Sequence, residues 1–360
     1  MNLDLTETQR LLEETLAAFL DARVSFDRIR ELEKEQGMDA ALWSGLADQG
    51  FLALPFAESG RAQGGWIELG LLTEQLARKA TLVPILEVSL VAQVLQAAPG
   101  GEAAKGVASV MDGKILPVPA LLEDEDSFER VEARVDDEGR LTGTKAFVDY
   151  GQHATHHLVS AQGREGVGLY WVDASDEGVL CEPLVSIARA PLCRVAYRGV
   201  PALRLGGSEA WTDLIRLGRV LAAIQCVGSM QTSLDMTVAY AKVRRQFGQT
   251  IGSFQAVRHH CATMLTRITS ARILAYEALS LLGQGKLDDR GAAAAKAAAS
   301  RAAPDVLMLG HQIHGGNGVI EENDLYFFTL RGKERSLAWG SVEECLSLMS
   351  QHVHTPTDLI

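Results

Sequence analysis

The chain has 360 residues, 47% of them apolar and 22% charged, enough to bury a large core and to divide into two or three domains. Its formal charge of −12 leaves no basic field for a nucleic-acid backbone or an anionic membrane, so neither is expected as a partner. The five cysteines, Cys181, Cys193, Cys226, Cys261 and Cys345, are scattered without CxxC spacing, which argues against a disulfide framework and a zinc site and for reduced thiols.

The N-terminal "MNLDLTETQRLLEE" lacks a basic region followed by an apolar stretch, and no apolar run is long enough to span a bilayer; a cytoplasmic protein is expected. From Leu5 to about Leu95 apolar positions recur at three and four residues, with Thr6 as N-cap and Gln9 at the capping-box position. Within this helical stretch "GFLALPFAESGRAQGG" reads as a punctuated loop. Between about Gly113 and Gly206 short alternating segments, "GRLTGTKAFVDYG", "HHLVSAQ" and "VGLYWVDA", predict strands. From Glu209 the helical period returns in long stretches that predict a bundle with an oligomer contact. The boundaries predicted are a helical domain over 1–112, a β domain over 113–207 and a helical bundle over 208–360.

Two breaks between bundle helices carry unusual residues. In "RRQFGQTIGSFQ", residues 244–255, Arg244 and Arg245 stand at a helix end and Gly248 permits a turn; taken alone, this is a capped helix with Phe247 plugging the bundle end. In "HQIHGGNGVIEEN", residues 311–323, a double glycine and an Asn-Gly follow a helix rather than a strand, so this is not the phosphate loop of a dinucleotide fold. Together, with Arg331 downstream and a β segment upstream, the pair resembles the acyl-CoA dehydrogenase family, as does the strand pair expected in "LTGTKAFVDYG".

The resemblance covers most of the chain. It implies an α+β multi-domain fold: an N-terminal helical domain, a middle β-barrel-like domain and a C-terminal four-helix bundle. It also implies FAD between the β domain and the bundle, its diphosphate and adenosine end reaching a neighbouring subunit. Carried over, Arg244 would meet the diphosphate with Phe247 packed beside it, and Gln255, Gln312, Gly315 and Gly316 would belong to the same shared site. Phe147 stands where relatives carry a flavin-stacking Trp, and Ser341 replaces a threonine that contacts flavin.

The pattern is broken where the family's base belongs. That base is a glutamate followed by Gly and Thr, but "RSLAWGSVEEC" offers Trp339 or Gly340 there. Other relatives place it just before an arginine at the start of the first bundle helix; Arg219 matches the arginine, but Gly218 precedes it. No catalytic residue is assigned. Glu334, Glu343 and Glu344 read as solvated helix acids, and Arg219, Trp339 and Gly340 would line a degraded substrate pocket. The five carboxylates between Glu123 and Glu129 would repel an anionic cofactor where relatives have a flavin loop, and Asp149 replaces a hydroxyl.

The expectation is therefore FAD-dependent α,β-desaturation of an acyl-CoA, with electrons passing to an electron-transfer flavoprotein. The chain would act in an α2β2 complex with a homologous acyl-CoA dehydrogenase subunit carrying the catalytic glutamate. A homo-oligomer is the other assembly, and bulky thioesters such as those of steroid degradation are the suggested substrates. Two alternatives are a redox-silent structural subunit and a self-sufficient flavoenzyme with an unusual base. His153, His156 and His157 in "HATHHL" are not expected to bind metal, because strand alternation sends His156 and His157 to opposite faces. His259 and His260 read as surface or interface residues, and no hydrolase motif is present.

Overall fold

Helix α1 (Glu7–Asp21) starts where its capping box predicts: Thr6 Oγ1 accepts from the Gln9 amide at 3.3 Å, and the Gln9 side chain accepts from the Thr6 amide at 3.0 Å. The computed structural model describes residues 4–56, 65–123, 128 and 130–351. Helices α2 (Phe26–Glu35) and α3 (Ala40–Asp48) are likewise capped, by Ser25 and Asp39. The expected loop instead winds Phe51–Phe56 into a 3-10 helix, because Phe51, Leu52, Leu54 and Phe56 are all buried; its remainder over 57–64 lies outside the described residues. Helices α4 (Trp66–Arg78), α5 (Ile85–Ala97) and α6 (Gly101–Met111) follow. By contacts the chain divides into two units, one of Met1–Ala22, Gly70–Ala80 and Arg219–Ile360, the other of Arg23–Leu69 and Thr81–Gly218.

The second unit is built on a sheet. Its strands are β1 (Pro117–Ala120), β2 (Arg134–Val135), β3 (Arg140–Asp149), β4 (His156–Gly163), β5 (Gly166–Asp173), β6 (Val179–Pro183), β7 (Leu192–Pro201) and β8 (Leu203–Gly206). They run in the order β6-β7-β3-β2-β4-β5-β8, with β1 parallel to β4. Alternation along β7 sends Cys193, Val195 and Tyr197 inward, as a half-buried strand requires. Leu32 of α2 packs with Leu82, Ala188 and Ala190. The "LTGTKAFVDYG" stretch is one strand rather than a strand pair: β3 absorbs its irregularity as a bulge between Lys145 and Val148, where Phe147 adopts φ +53°.

That bulge borders a buried cation the sequence reading overlooked. Lys145 is fully buried, and its ammonium donates to Glu123 Oε1 at 2.5 Å, Ser160 Oγ at 2.9 Å and the Leu121 carbonyl at 3.0 Å. Burial lowers its pKa to about 8, against the opposing pull of Glu123. Glu123 is thus turned inward and neutralised rather than repelling a cofactor; it also accepts from the Glu132 and Ala133 amides. The other carboxylates of that cluster, Asp124, Glu125, Asp126 and Glu129, lie outside the described residues.

The first unit is helical: the part of α7 (Ser208–Val243) from Arg219 onward, α8 (Gln255–Gly283), α9 (Asp289–His314), α10 (Leu325–Leu337) and α11 (Val342–Gln351). The alanine-rich run is the buried side of α9, where Ala293 and Ala297 pack on Cys345 of α11. Small residues let backbones touch, since a Cβ on Gly228 of α7 would sit 2.6 Å from the Glu74 carbonyl of α4. Glu74 itself is buried and accepts from Arg272 Nη2 at 2.7 Å and from the Tyr276 hydroxyl at 3.0 Å, so α4 and α8 are joined by a satisfied charge.

The "HATHHL" histidines part company. His153 Nε2 is 3.1 Å from the Gln36 carbonyl, His156 stacks on Trp171 at 4.5 Å, and His157 is fully buried on the other face. His157 Nε2 donates to the Gly151 carbonyl at 3.1 Å, and Nδ1 accepts from the Tyr197 hydroxyl at 3.0 Å, the arrangement of a neutral ring. Burial pushes its pKa down from 6.5 to about 4, against the pull of the Gly151 hydrogen bond. As pH falls, the unfolded ring gains its proton first, so stability should drop between pH 6.5 and 4 by about 3 kcal/mol from this residue. Urea unfolding at stepped pH should show that fall, and His157→Gln should flatten it; an unchanged slope in the variant would assign the loss elsewhere.

Candidate functional site

Helix α7 ends at Val243, and the chain then folds into a two-stranded hairpin, β9 (Arg245–Gln246) and β10 (Gln249–Thr250). Its two-residue loop is Phe247 at φ +53° and Gly248 at φ +79°, both left-handed, as the tightest hairpin turns demand. The Ile251 amide donates to the Arg244 carbonyl at 2.8 Å, and α8 begins at Gln255. Phe247 does not plug the bundle: it is 90% exposed, touching Phe254 edge-to-face at 6.1 Å, because the hairpin turn projects it outward. Arg244 and Gln255 are exposed too, and among the described residues the Arg244 guanidinium has no partner in its own chain.

The second motif closes α9. Gly315 adopts φ +60° and ψ −140°, a conformation reserved for glycine, and opens a 3-10 turn over Gly315–Gly318. His311 ties this turn down, with Nδ1 2.8 Å from the Gly318 carbonyl and Nε2 2.7 Å from Thr329 Oγ1. Gln312, Gly315 and Gly316 are exposed, and a Cβ on either glycine would meet nothing within 4 Å. The chain itself therefore gives no packing reason for Gly316; bare, approachable backbone suits a ligand brought close from outside.

The two motifs meet through a contact sequence reasoning missed. Tyr240, one helical turn before Arg244, stacks on His314 at 4.4 Å with the rings 12° from parallel. His314 immediately precedes Gly315, so the arginine hairpin and the glycine turn share one end of the unit. The signal was available: an aromatic one turn inside each motif.

Arg219, Trp339, Gly340 and Ser341 assemble elsewhere. Arg219 is buried on α7, and its Nε donates to the Trp339 carbonyl at 3.3 Å. From Arg219 to Val243 the helix rises about 36 Å at 1.5 Å per residue. Trp339 is 9% exposed at φ +65°, and Gly340 has φ +108°. Ser341 caps α11: its Oγ accepts from the Glu344 amide at 3.1 Å, and its own amide donates to Glu344 Oε2 at 3.3 Å. Glu344 is thus not a free solvated acid, for its other oxygen lies 4.0 Å from Arg219 Nη2 and it fills space beside Gly340. A Ser-x-x-Glu spacing marks this capping box in the sequence. Glu343 is exposed and Glu334 half-buried. In the sheet unit, the bulge leaves Phe147 48% exposed, an available aromatic face.

This α+β arrangement, helices around a sheet with a long-helix bundle, defines an acyl-CoA dehydrogenase type of fold. Residues 6–106 match the family description "Acyl-CoA dehydrogenase, N-terminal domain" and residues 206–354 "Acyl-CoA dehydrogenase, C-terminal domain". "Acyl-CoA dehydrogenase FadE27" of Mycobacterium tuberculosis is 30% identical over 357 residues, 94% of this chain and 95% of that protein. A chain of the ChsE4-ChsE5 complex from Mycobacterium tuberculosis superposes with a TM-score of 0.92 at 27% identity, covering 99% of this chain and 100% of that one. A chain of the Tcur3481-Tcur3483 steroid ACAD does so with a TM-score of 0.90 at 28% identity, covering 96% and 97%. The chain belongs to the acyl-CoA dehydrogenase family, whose fold binds FAD.

Exposed side chains with few contacts in their own chain should cost little to remove. Arg244→Ala and Phe247→Ala should leave the unfolding free energy of the chain within about 0.5 kcal/mol of wild type. Gly340→Ala, forced to φ +108°, should lose about 1–2 kcal/mol. Denaturant titration of the three variants distinguishes these, and a destabilised Arg244→Ala would mean that the guanidinium serves its own fold.

Proposed function

We propose that this chain is the completing subunit of an FAD-dependent acyl-CoA dehydrogenase of α2β2 type, lending its hairpin and glycine turn to a flavin held mainly by a homologous subunit that carries the catalytic glutamate. The observation that carries this reading is the separation along α7. An exposed arginine without a partner among the described residues, an exposed phenylalanine and bare glycine backbone stand at one end, about 36 Å from the Arg219 site, where Glu344 is engaged in a capping box. The chain that keeps what is lent has lost what it would use itself.

When bound, FAD supplies a hydride acceptor for the β carbon of the acyl thioester. The residues present fit its anionic end. Arg244 offers a planar, permanently charged fork to a diphosphate, without a partner among the described residues of its own chain. Phe247 sets an apolar ring beside that charge, Gln255 and Gln312 offer exposed amides, and Gly315 and Gly316 admit close approach. The Gly-hydroxyl pair Gly340–Ser341 aligns Trp339 with the missing base, so an indole stands where a carboxylate would take the α proton. Ser341 spends its acceptor on the cap but keeps its O–H to donate, and Phe147 keeps a stacking face.

Assembly with a second subunit is supported by the solved relative described as the ChsE4-ChsE5 complex, and a bulky, ring-bearing thioester by the relative described as a steroid ACAD. Reoxidation falls to an electron-transfer flavoprotein. A self-sufficient enzyme is the second reading, favoured by one contact, Glu344 Oε2 at 3.4 Å from the position of a Cβ on Gly340.

Co-expression with the homologous subunit should give one flavin per pair of chains, and Arg244→Ala should remove most of that absorbance and the acyl-CoA dehydrogenase activity with it. The chain alone should turn over no acyl-CoA. Flavin retained in Arg244→Ala would leave a structural subunit; turnover by the lone chain, abolished by Glu344→Gln, would establish the self-sufficient enzyme instead.

A further inference from the structure

Two thiols with no part in flavin chemistry stand side by side in the sheet. Cys181 lies on β6, at one end of the strand order, and Cys193 lies on β7 beside it. The register pairs Cys181 with Val195 and Pro183 with Cys193, so the two cysteines are diagonal neighbours on one face. Cys181 is exposed and Cys193 fully buried. Both sulfurs also border the turn after β3, Cys181 Sγ at 3.9 Å from the Gly151 carbonyl and Cys193 Sγ at 3.6 Å from the Val148 carbonyl. Gly151 makes the room, since a Cβ there would lie 2.6 Å from Cys193 Sγ.

We propose that Cys181 and Cys193 form an oxidant-sensitive dithiol that closes reversibly to an intramolecular disulfide, with Cys181 as the point of entry and Cys193 as the resolving thiol. Access and chemistry favour the same order. Of the two, only Cys181 meets solvent, and the neighbouring Cys193 holds its thiol below the ordinary range, whereas Cys181 and burial push Cys193 up. Tyr197 and Asp149 are the other ionisable groups facing the pair. The oxidant is a small disulfide such as oxidised glutathione. The Cys181 thiolate attacks one of its sulfurs, the S–S bond breaks and one glutathione thiol departs. Cys193 then gives up its proton and attacks Cys181 Sγ, the mixed disulfide breaks and the second glutathione thiol departs. Two electrons and two protons pass from the protein to the oxidant. Among the described strands β6 pairs with β7 alone, so moving it to close the bridge breaks no second ladder.

The test is oxidation of the folded full-length chain with oxidised glutathione, followed by acid quench, alkylation in denaturant and peptide mass spectrometry. The five thiols should fall to three, with one new peptide joining Cys181 to Cys193, and dithiothreitol should restore all five. Cys193→Ser should stop at glutathione on Cys181, and Cys181→Ser should leave Cys193 unmodified. Five thiols remaining, glutathione lodged on Cys181 with Cys193 still alkylated, or a bridge to Cys226, Cys261, Cys345 or a second chain would overturn the proposal. The wild-type peptide map decides the matter without either variant.

Discussion

A continuous helix of 36 residues imposes the constraint from which the functional reading follows. Hydrogen bonds along α7 make its length a ruler, and no side-chain rearrangement brings Arg219 to Arg244. Gly228, admitting the Glu74 carbonyl, lets α4 lie against the rod, while the buried Glu74 holds Arg272 and Tyr276 of α8. Arg219 and the hairpin after Val243 are therefore held far apart.

Each end has its own electrostatic character. At the hairpin end the cation is unspent: Arg244 has no partner in its own chain among the described residues, and the glycine turn leaves backbone open beside it. At the other end charge is consumed internally. Arg219 donates to the Trp339 carbonyl, and Glu344 closes a capping box while facing Arg219. A carboxylate so held serves the start of α11. The sheet repeats that economy in Lys145 and Glu123, whose opposite charges meet in the interior.

Much of this was legible residue by residue. Thr6 and Gln9 announced the first cap, the three- and four-residue period located the bundle helices, and alternation located β3, β4 and β5. Strand alternation sent His156 and His157 to opposite faces, and the structure buries His157 and stacks His156 on Trp171. Other features were not legible because they depend on partners distant in sequence. Glu123 looked like one of a repelling cluster until Lys145, 22 residues on, was found beneath it. Phe247 looked like a plug because apolarity says nothing of direction; the left-handed pair Phe247–Gly248 turns it outward.

By itself, the sequence determined the family and the helical, β, helical order, since these are statements about which residue occupies which position. Tertiary structure alone decided that Tyr240 and His314 join two motifs some seventy residues apart, that Glu344 lies beside Arg219, and that Cys181 and Cys193 share a face. Periodicity is local and survives in one dimension, whereas the meeting of two side chains depends on where the backbone has carried each of them.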